Sequence, residues 1–239
     1  MDSRALGYCE SVLFVCAWTL AVCFTKPTRC AGVRSRSVVE GESVTLHSHL
    51  SELQTNSELS WTFKTGSSFA PIAQHFRGEI TTGYTERFKD RLQVDRQTGS
   101  LTISNLNTND SGVYQLLMRH YNRTLSKFLV QLKVYTPAST PVISNITQSH
   151  SVSKSCSVLC SVENGREVTL SWQRGGETLN HTSSPDLNTN LSLPLEIEEY
   201  NSTYSCVAAN PVHHSLTKLS MTELCPHLLH PQHQSINLY

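Results

Sequence analysis

Two cysteines and a tryptophan in the second half of the chain constrain its fold more than any other feature. Cys160 precedes Trp172 by 12 residues, and Tyr204 stands two residues before Cys206. In an immunoglobulin sandwich a buried tryptophan packs on the inter-sheet disulfide, and a strand F tyrosine precedes the second cysteine by two residues. Only 46 residues separate Cys160 from Cys206. That is too few for two additional strands, so the spacing predicts a compact, constant-2 type sandwich.

Residues 32–135 carry the same pattern without its cysteines. Short alternating runs separated by turn residues about every 8–12 positions are typical of a β-sandwich. Tyr114 closes an Asp-x-Gly-x-Tyr element and corresponds to the strand F tyrosine. The two cysteine positions are occupied by Ser48, 13 residues before Trp61, and by Leu116. A separation of 68 residues between them suits nine strands, which predicts a variable-type domain without a core disulfide.

The organisation of the whole chain follows from these two sandwiches and from an apolar stretch near its start. About a dozen apolar residues follow Arg4, fewer than the ~20 that a spanning helix needs, as is typical of a secretory signal peptide. The chain is therefore predicted to be all-β, with two immunoglobulin-like sandwiches in tandem. In chain order the predicted segments are a signal peptide at 1–25 (cleavage between 21 and 31), a variable-type domain at 32–135, a linker at 136–141, a constant-2 type domain at 142–225 and an unstructured tail at 226–239.

Four cysteines lie in the second domain. An even set in an oxidising compartment predicts two disulfides. Four cysteines allow three pairings. The nested one is favoured because its inner pair has the immunoglobulin spacing and its outer pair would tie the first strand to the last. The favoured pairs are Cys160–Cys206 and Cys156–Cys225.

Six Asn-x-Ser/Thr sequons also support export. Asn109 is expected to be a poor acceptor because Asp110, which follows it, is expected to be held in an ion pair. The expected glycosylation sites are Asn122, Asn145, Asn180, Asn190 and Asn201. No long apolar run follows Cys225, so the chain as it reads predicts a product without a membrane anchor.

Composition and motifs argue against catalysis and against nucleic acid as a partner. The chain has 19 Lys or Arg and 19 Asp or Glu, so it has no overall basic field. Nucleophile-elbow, phosphate-loop and zinc-protease motifs are absent from the sequence. His227, His230 and His233 are three apart in a Pro-containing tail that does not enforce metal-binding geometry. We therefore expect no enzyme activity, no cofactor, no metal and no small-molecule substrate.

A set of short motifs, mostly in the second domain, carries a family resemblance. They are Cys156-Ser-Val-Leu-Cys160, Val168-Thr-Leu-Ser-Trp172, Leu191-Ser-Leu-Pro-Leu195, Thr203-Tyr-Ser-Cys206, Asn210-Pro211 and Cys225, after a disulfide-free first domain with Trp61 and Asp110-x-Gly112-x-Tyr114. On these residues the chain resembles the signalling lymphocytic activation molecule (SLAM) family of leukocyte receptors, and within it the small lymphocyte adhesion antigens. The resemblance spans about four-fifths of the chain and implies adhesion and co-stimulation between immune cells.

The resemblance also implies a partner and a place. In that family the first-domain sheet of strands G, F, C and C′ meets a like sheet on another cell. We therefore expect this chain to bind a SLAM-family receptor or a second copy of itself. Because no anchor is evident, the alternative is a secreted, soluble decoy that keeps the interface and opposes adhesion. The expected location is extracellular, at the cell surface as the family implies or secreted as the chain reads.

Period-two alternation predicts which side chains of that sheet face a partner. Trp61 and Phe63 are expected to face the core, so the residues next to them face outward, and the same argument applies to strands F and G. On strand C′ the alternation is not decisive, and two adjacent residues are included. The predicted partner-binding residues are Thr62, Lys64, Gln74, His75, Gln115, Leu117, Arg119, Lys127 and Leu129.

Overall fold

The computed structural model describes residues 33–50, 52–53, 57–120, 123–146, 156–197 and 199–226. The predicted signal peptide, the sequon at Asn122 and the tail beyond Pro226 lie outside these residues. Along the described chain, strands are joined by turns and short helices, and none of these helices is long and apolar enough to cross a membrane.

Nine strands among the described residues build the first sandwich. They are β1 (Arg34–Val39), β2 (Val44–Leu46), β3 (Ser57–Thr65), β4 (Ser68–Phe76), β5 (Glu79–Thr82), β6 (Leu92–Val94), β7 (Leu101–Ile103), β8 (Gly112–His120) and β9 (Arg123–Tyr135). One sheet has the order β1-β9-β8-β3-β4-β5, and the other has the order β2-β7-β6. The nine-stranded, variable-type arrangement confirms the fold predicted from the sequence.

The core of this sandwich follows from alternation along its central strands. On β3, Leu59, Trp61 and Phe63 are buried on one face, and they meet Tyr114 and Leu116 of β8. The rings of Phe63 and Tyr114 lie edge to face with centroids 4.9 Å apart. Aromatic pairs in this geometry add to the stability gained from burial alone.

Hydrogen bonds stabilise the first sandwich at the position where the core disulfide is missing. The Ser48 side chain is fully buried, and its hydroxyl donates to the carbonyl of Thr98 and accepts from the N–H of Leu50. The Trp61 indole N–H donates to the carbonyl of Gly99 at 2.9 Å. Both donors hold the tight β6–β7 turn against the core, so this sandwich is stabilised by hydrogen bonds as well as by packing.

The second sandwich is smaller. Its elements are β10 (Val142–Asn145), β11 (Cys156–Val162), β12 (Thr169–Arg174), β13 (Glu177–Ser183), β14 (Leu191–Ile197), β15 (Tyr204–Ala209), β16 (His214–Lys218) and a short helix α1 (Met221–Leu224). The sheets have the orders β10-β11-β14 and β13-β12-β15-β16. The tandem immunoglobulin-like fold is thereby confirmed, while the domain limits at 32–135 and 142–225 stay a prediction.

Two disulfides staple this second sandwich. Cys160 bonds to Cys206 between the sheets, and Cys156 bonds to Cys225 just after α1. The nested pairing expected from the sequence is confirmed. The Tyr204 hydroxyl accepts a hydrogen bond from the N–H of Glu199 at 3.3 Å, which is the tyrosine corner of the immunoglobulin sandwich.

The predicted glycosylation sites differ in exposure. Asn190 and Asn201 are exposed. Asn145 is exposed, but its side-chain amide donates to the carbonyl of Leu224. Asn180 is half-buried on β13, with its side-chain oxygen buried. Glycosylation at these positions stays a prediction.

Candidate adhesion face

The outer face of the six-stranded sheet is built around β3, which lies between β4 and β8. Ser60 stands opposite Leu117 on β8 and Gln74 on β4. Glu58, two residues earlier, stands opposite Arg119. Directly opposite residues of antiparallel strands point to the same face. These five side chains therefore share the face that is turned away from the core.

A concave pocket with a volume of ≈ 190 Å³ opens on this face. Its lining residues are Glu58, Ser60, Gln74, Phe76, Leu117 and Arg119, with Leu59 and His75, which alternate with them along β3 and β4. Apolar side chains ringed by polar and charged groups are the usual composition of a protein-binding patch.

One wall of the pocket is held by hydrogen bonds. The Gln74 side-chain amide donates to the Ser60 hydroxyl at 3.4 Å, and the Tyr84 hydroxyl donates to the Gln74 side-chain carbonyl at 2.6 Å. These two contacts set the orientation of the amide. They also place the exposed Tyr84 ring beside the pocket.

An exposed phenylalanine marks the end of β4. The Phe76 side chain is 45% exposed, and Arg77 lies with its guanidinium 5.0 Å from the ring centroid. Arg77 and Gly78 both have positive φ, 50° and 83°, as required of the two central residues of a tight hairpin turn. The β4–β5 turn thus projects an aromatic ring and a cation, two groups enriched at protein interfaces.

The pocket carries one charge of each sign. Glu58 and Arg119 are opposed in register, yet no ion pair joins either of them to any residue in the described part of the chain. The uncharged Ser60 and Leu117 lie beside them in the same two strands.

The comparisons with known proteins agree with this architecture. The model of the immunoglobulin V-set domain matches residues 32–135. SLAM family member 5 of Mus musculus is 27% identical over 228 residues, which are 90% of this chain and 65% of that protein. SLAM family member 5 of Homo sapiens is 27% identical over 218 residues, which are 87% of this chain and 60% of that protein. Over most of its length the chain is similar to members of the SLAM family. It spans slightly less than two thirds of the length of these two SLAM-family relatives.

A solved structure supports the fold alone. The crystal structure of murine CEACAM1b has a TM-score of 0.57 and 24% sequence identity to this chain, covering 77% of this chain and 94% of that one. This similarity extends over a tandem of domains. The function of this chain is inferred below from the residues on the outer face of its six-stranded sheet.

Four of the residues predicted to bind a partner come together at the pocket. They are Gln74, His75, Leu117 and Arg119. Lys64 is exposed near the other end of β3, opposite Phe69. Lys127 is exposed and Leu129 half-buried on β9. Their role as contact residues stays a prediction.

Two other predicted residues are not open to a partner. Thr62 and Gln115 form a cross-strand pair at the centre of the sheet, and their side chains are only 6% and 4% exposed. The Thr62 hydroxyl donates to the main-chain carbonyl of Gln115 at 3.3 Å. The expectation that they are exposed is wrong. On the central strands of a sheet, side chains of neighbouring residues on the same face cover short and medium side chains.

The register also decides between the two residues chosen on β4. Gln74 pairs with Ser60 and belongs to the outer face, whereas His75 pairs with Leu59 of the core face and with Ile80 of β5. Adjacent residues of a strand point to opposite sides. By register Gln74, and not His75, shares the outer face with Leu117, although His75 also lines the pocket.

Four lining residues of the pocket were not among the predicted partner-binding residues: Glu58, Leu59, Ser60 and Phe76. Glu58 and Ser60 were within reach of the same alternation, since they precede Thr62 by four and two positions. Phe76 follows Gln74 by two positions. A large aromatic residue in a strand is more often assigned to the core, so exposure of Phe76 had no sequence signal.

Proposed function

We propose that this chain is an immune cell-surface adhesion and co-stimulatory protein that binds a like receptor through the face made by β9, β8, β3 and β4. The observation that carries the proposal is the pocket between β3, β4 and β8, in which Glu58 and Arg119 stand opposed beside Leu117. Binding at such a face is non-covalent, and many weak contacts between cells add up through clustering.

The charge pattern favours a second copy of the chain as the first partner to test. In a two-fold symmetric contact each residue meets its counterpart set on the other copy. Glu58 of one copy can then face Arg119 of the other, and the reverse contact forms at the same time. Complementary charges around an apolar centre supply orientation as well as affinity.

Charge reversal tests this arrangement. Glu58→Arg and Arg119→Glu, each made in the full chain secreted from animal cells, place like charges opposite each other in a homodimer. Each variant alone should therefore self-associate at least about tenfold more weakly in sedimentation equilibrium. An equimolar mixture of the two variants restores both opposite-charge contacts between chains, so it should form heterodimers with affinity close to that of the wild type.

Two further variants complete the design. Leu117→Asp places a charge at the apolar centre and should abolish the dimer. Lys218→Glu changes an exposed charge of the second sandwich and should leave self-association unchanged. A dimer that persists in Glu58→Arg, Arg119→Glu and Leu117→Asp would refute the proposed face. A wild-type chain that stays monomeric at all concentrations would refute self-binding and direct the search to a SLAM-family receptor.

A further inference from the structure

Four basic side chains gather at the opposite edge of the same sandwich. Arg34 and Arg36 lie on β1, the edge strand of the six-stranded sheet, and His47 and His49 directly follow β2, an edge strand of the other sheet. All four side chains are exposed. We call these four residues the basic edge cluster.

The cluster is held together by side-chain contacts. The Arg34 guanidinium donates a hydrogen bond to the His49 ring. The His49 ring centroid lies 6.3 Å from that of His47 and 6.3 Å from that of Phe128 on β9. His49 has a φ of 60°, a conformation that few residues other than glycine adopt. This backbone conformation places the His49 ring next to Arg34 of β1 and Phe128 of β9.

No carboxylate neutralises the cluster within the described ranges. The groups that face His49 are Arg34 and Arg36 from β1, His47 from its own segment and the uncharged Phe128 from β9. Burial, followed by the charges of Arg34, His47 and Arg36, lowers the pKa of His49 below its usual range. His49 is therefore neutral at neutral pH and accepts the Arg34 hydrogen bond.

The spacing of the cluster suits a linear polyanion. Arg34 and Arg36 are two residues apart on one strand, so their side chains emerge on the same side about 7 Å apart. His47 and His49 form a second pair, with ring centroids 6.3 Å apart. Arginine guanidinium groups bind anionic oxygens through paired N–H donors. An anion that engages Arg34 would also favour the protonated form of His49 beside it.

We propose that the basic edge cluster binds a sulfated polysaccharide chain, and that it binds more tightly as the pH falls. Two disulfides are typical of a chain that works in an oxidising, extracellular compartment, where sulfated glycans are the abundant polyanions. The cluster lies at the β1 edge, and β9 lies between β1 and β8, the nearest strand of the pocket. None of the four cluster residues lines the pocket, so the two sites are tested with separate variants.

A purely structural role makes the opposite prediction. Charged side chains on edge strands discourage pairing with strands of other molecules, and Arg34 and Arg36 on β1 serve that purpose without any ligand. In that case the chain has no specific affinity for a polyanion. Binding measurements on matched variants separate the two roles.

The test uses a heparin-derived oligosaccharide of defined length and the full chain immobilised for surface plasmon resonance. Arg34→Ser combined with Arg36→Ser should weaken binding about tenfold. Lys89→Ser combined with Arg96→Ser removes two exposed cations elsewhere on the same sandwich and should change affinity less than about twofold. Thermal unfolding of both double variants verifies that they fold.

The pH dependence is measured at about pH 7.5 and about pH 4.5, because the pKa of His49 lies below the usual histidine value of about 6.5. The wild type should bind several-fold more tightly at the lower pH. His47→Gln combined with His49→Gln should lose this increase while keeping the arginine-dependent binding. The proposal would be overturned if the Arg34→Ser, Arg36→Ser variant and the Lys89→Ser, Arg96→Ser variant lost the same affinity for the oligosaccharide. It would also be overturned if the wild type did not bind the oligosaccharide. Binding to phosphatidylserine vesicles but not to the oligosaccharide would overturn it as well, in favour of a lipid.

Discussion

The indole nitrogen of Trp61 donates a hydrogen bond to the main-chain carbonyl of Gly99, 2.9 Å away. This bond ties the central core residue of the first sandwich to the turn that joins β6 and β7. The turn is also bonded to Ser48, which occupies the position of a lost cysteine. The stability of a disulfide-free variable-type domain therefore depends on one short turn, and each group that holds the turn can be tested separately.

Gly99→Ala should destabilise the first sandwich by about 2–4 kcal/mol. Gly99 has a φ of +72°, and an added Cβ would collide with the side chain of Leu59. Gly41→Ala is the matched control, because Gly41 has a φ of +84° and open space around its Cβ position. It should cost only about 1 kcal/mol from the backbone. If Gly99→Ala and Gly41→Ala lowered the free energy of unfolding in urea by the same amount, the Leu59 side chain would have moved away from the added Cβ.

Ser48→Ala should lower the free energy of unfolding by about 1–3 kcal/mol. The substitution leaves the carbonyl of Thr98 and the N–H of Leu50 without the hydroxyl that bonds both. Ser67→Ala, at an exposed serine of the β3–β4 turn, should have almost no effect in the same urea titration. An unchanged midpoint for Ser48→Ala would mean that packing alone replaces the disulfide.

Asp95 should make the stability of the turn depend on pH. The Thr98 N–H, the Thr98 hydroxyl and the Gln97 N–H donate to its carboxylate and hold the pKa of Asp95 below its usual value. A lowered pKa in the folded state means that the stabilisation is present above the unfolded-state pKa and is lost as the pH falls through the folded-state pKa.

Thermal unfolding as a function of pH measures this effect. Asp95→Asn should have a lower Tm than the wild type at neutral pH, and the two curves should converge in acid. Asp90→Asn, at an exposed aspartate earlier in the same sandwich, is the control, and its curve should stay parallel to that of the wild type. A constant difference between Asp95→Asn and the wild type would contradict a contribution from the charged carboxylate.

Gln115→Met should stabilise the chain by about 1 kcal/mol. The Gln115 side chain is 4% exposed, and its amide nitrogen is buried without a hydrogen-bond partner in the described part of the chain. Methionine has a similar volume and no polar group to desolvate. Gln93→Met, at an exposed position on β6, should leave the urea midpoint unchanged. A loss of stability in Gln115→Met would show that the amide is bonded in solution.

The spacing of Cys160, Trp172 and Cys206 was sufficient to predict the second sandwich and its inner disulfide. The alternation around Trp61 likewise predicted which residues of β3 face the core. Both inferences succeed because the side-chain direction along a strand is a local property with a period of two. Alternation along one strand predicts the face on which Thr62 and Gln115 lie. It does not predict which side chains of neighbouring strands cover them.

The sequence by itself determined the two sandwiches and favoured the nested disulfides, because these depend on residue types at set separations along the chain. Only the tertiary structure decided that Gln115 is covered, that Glu58 opposes Arg119 and that Arg34 reaches His49. Each of these facts joins segments that are distant in the sequence. The register of the strands and the packing of their neighbours bring such segments together, and a one-dimensional pattern does not contain that information.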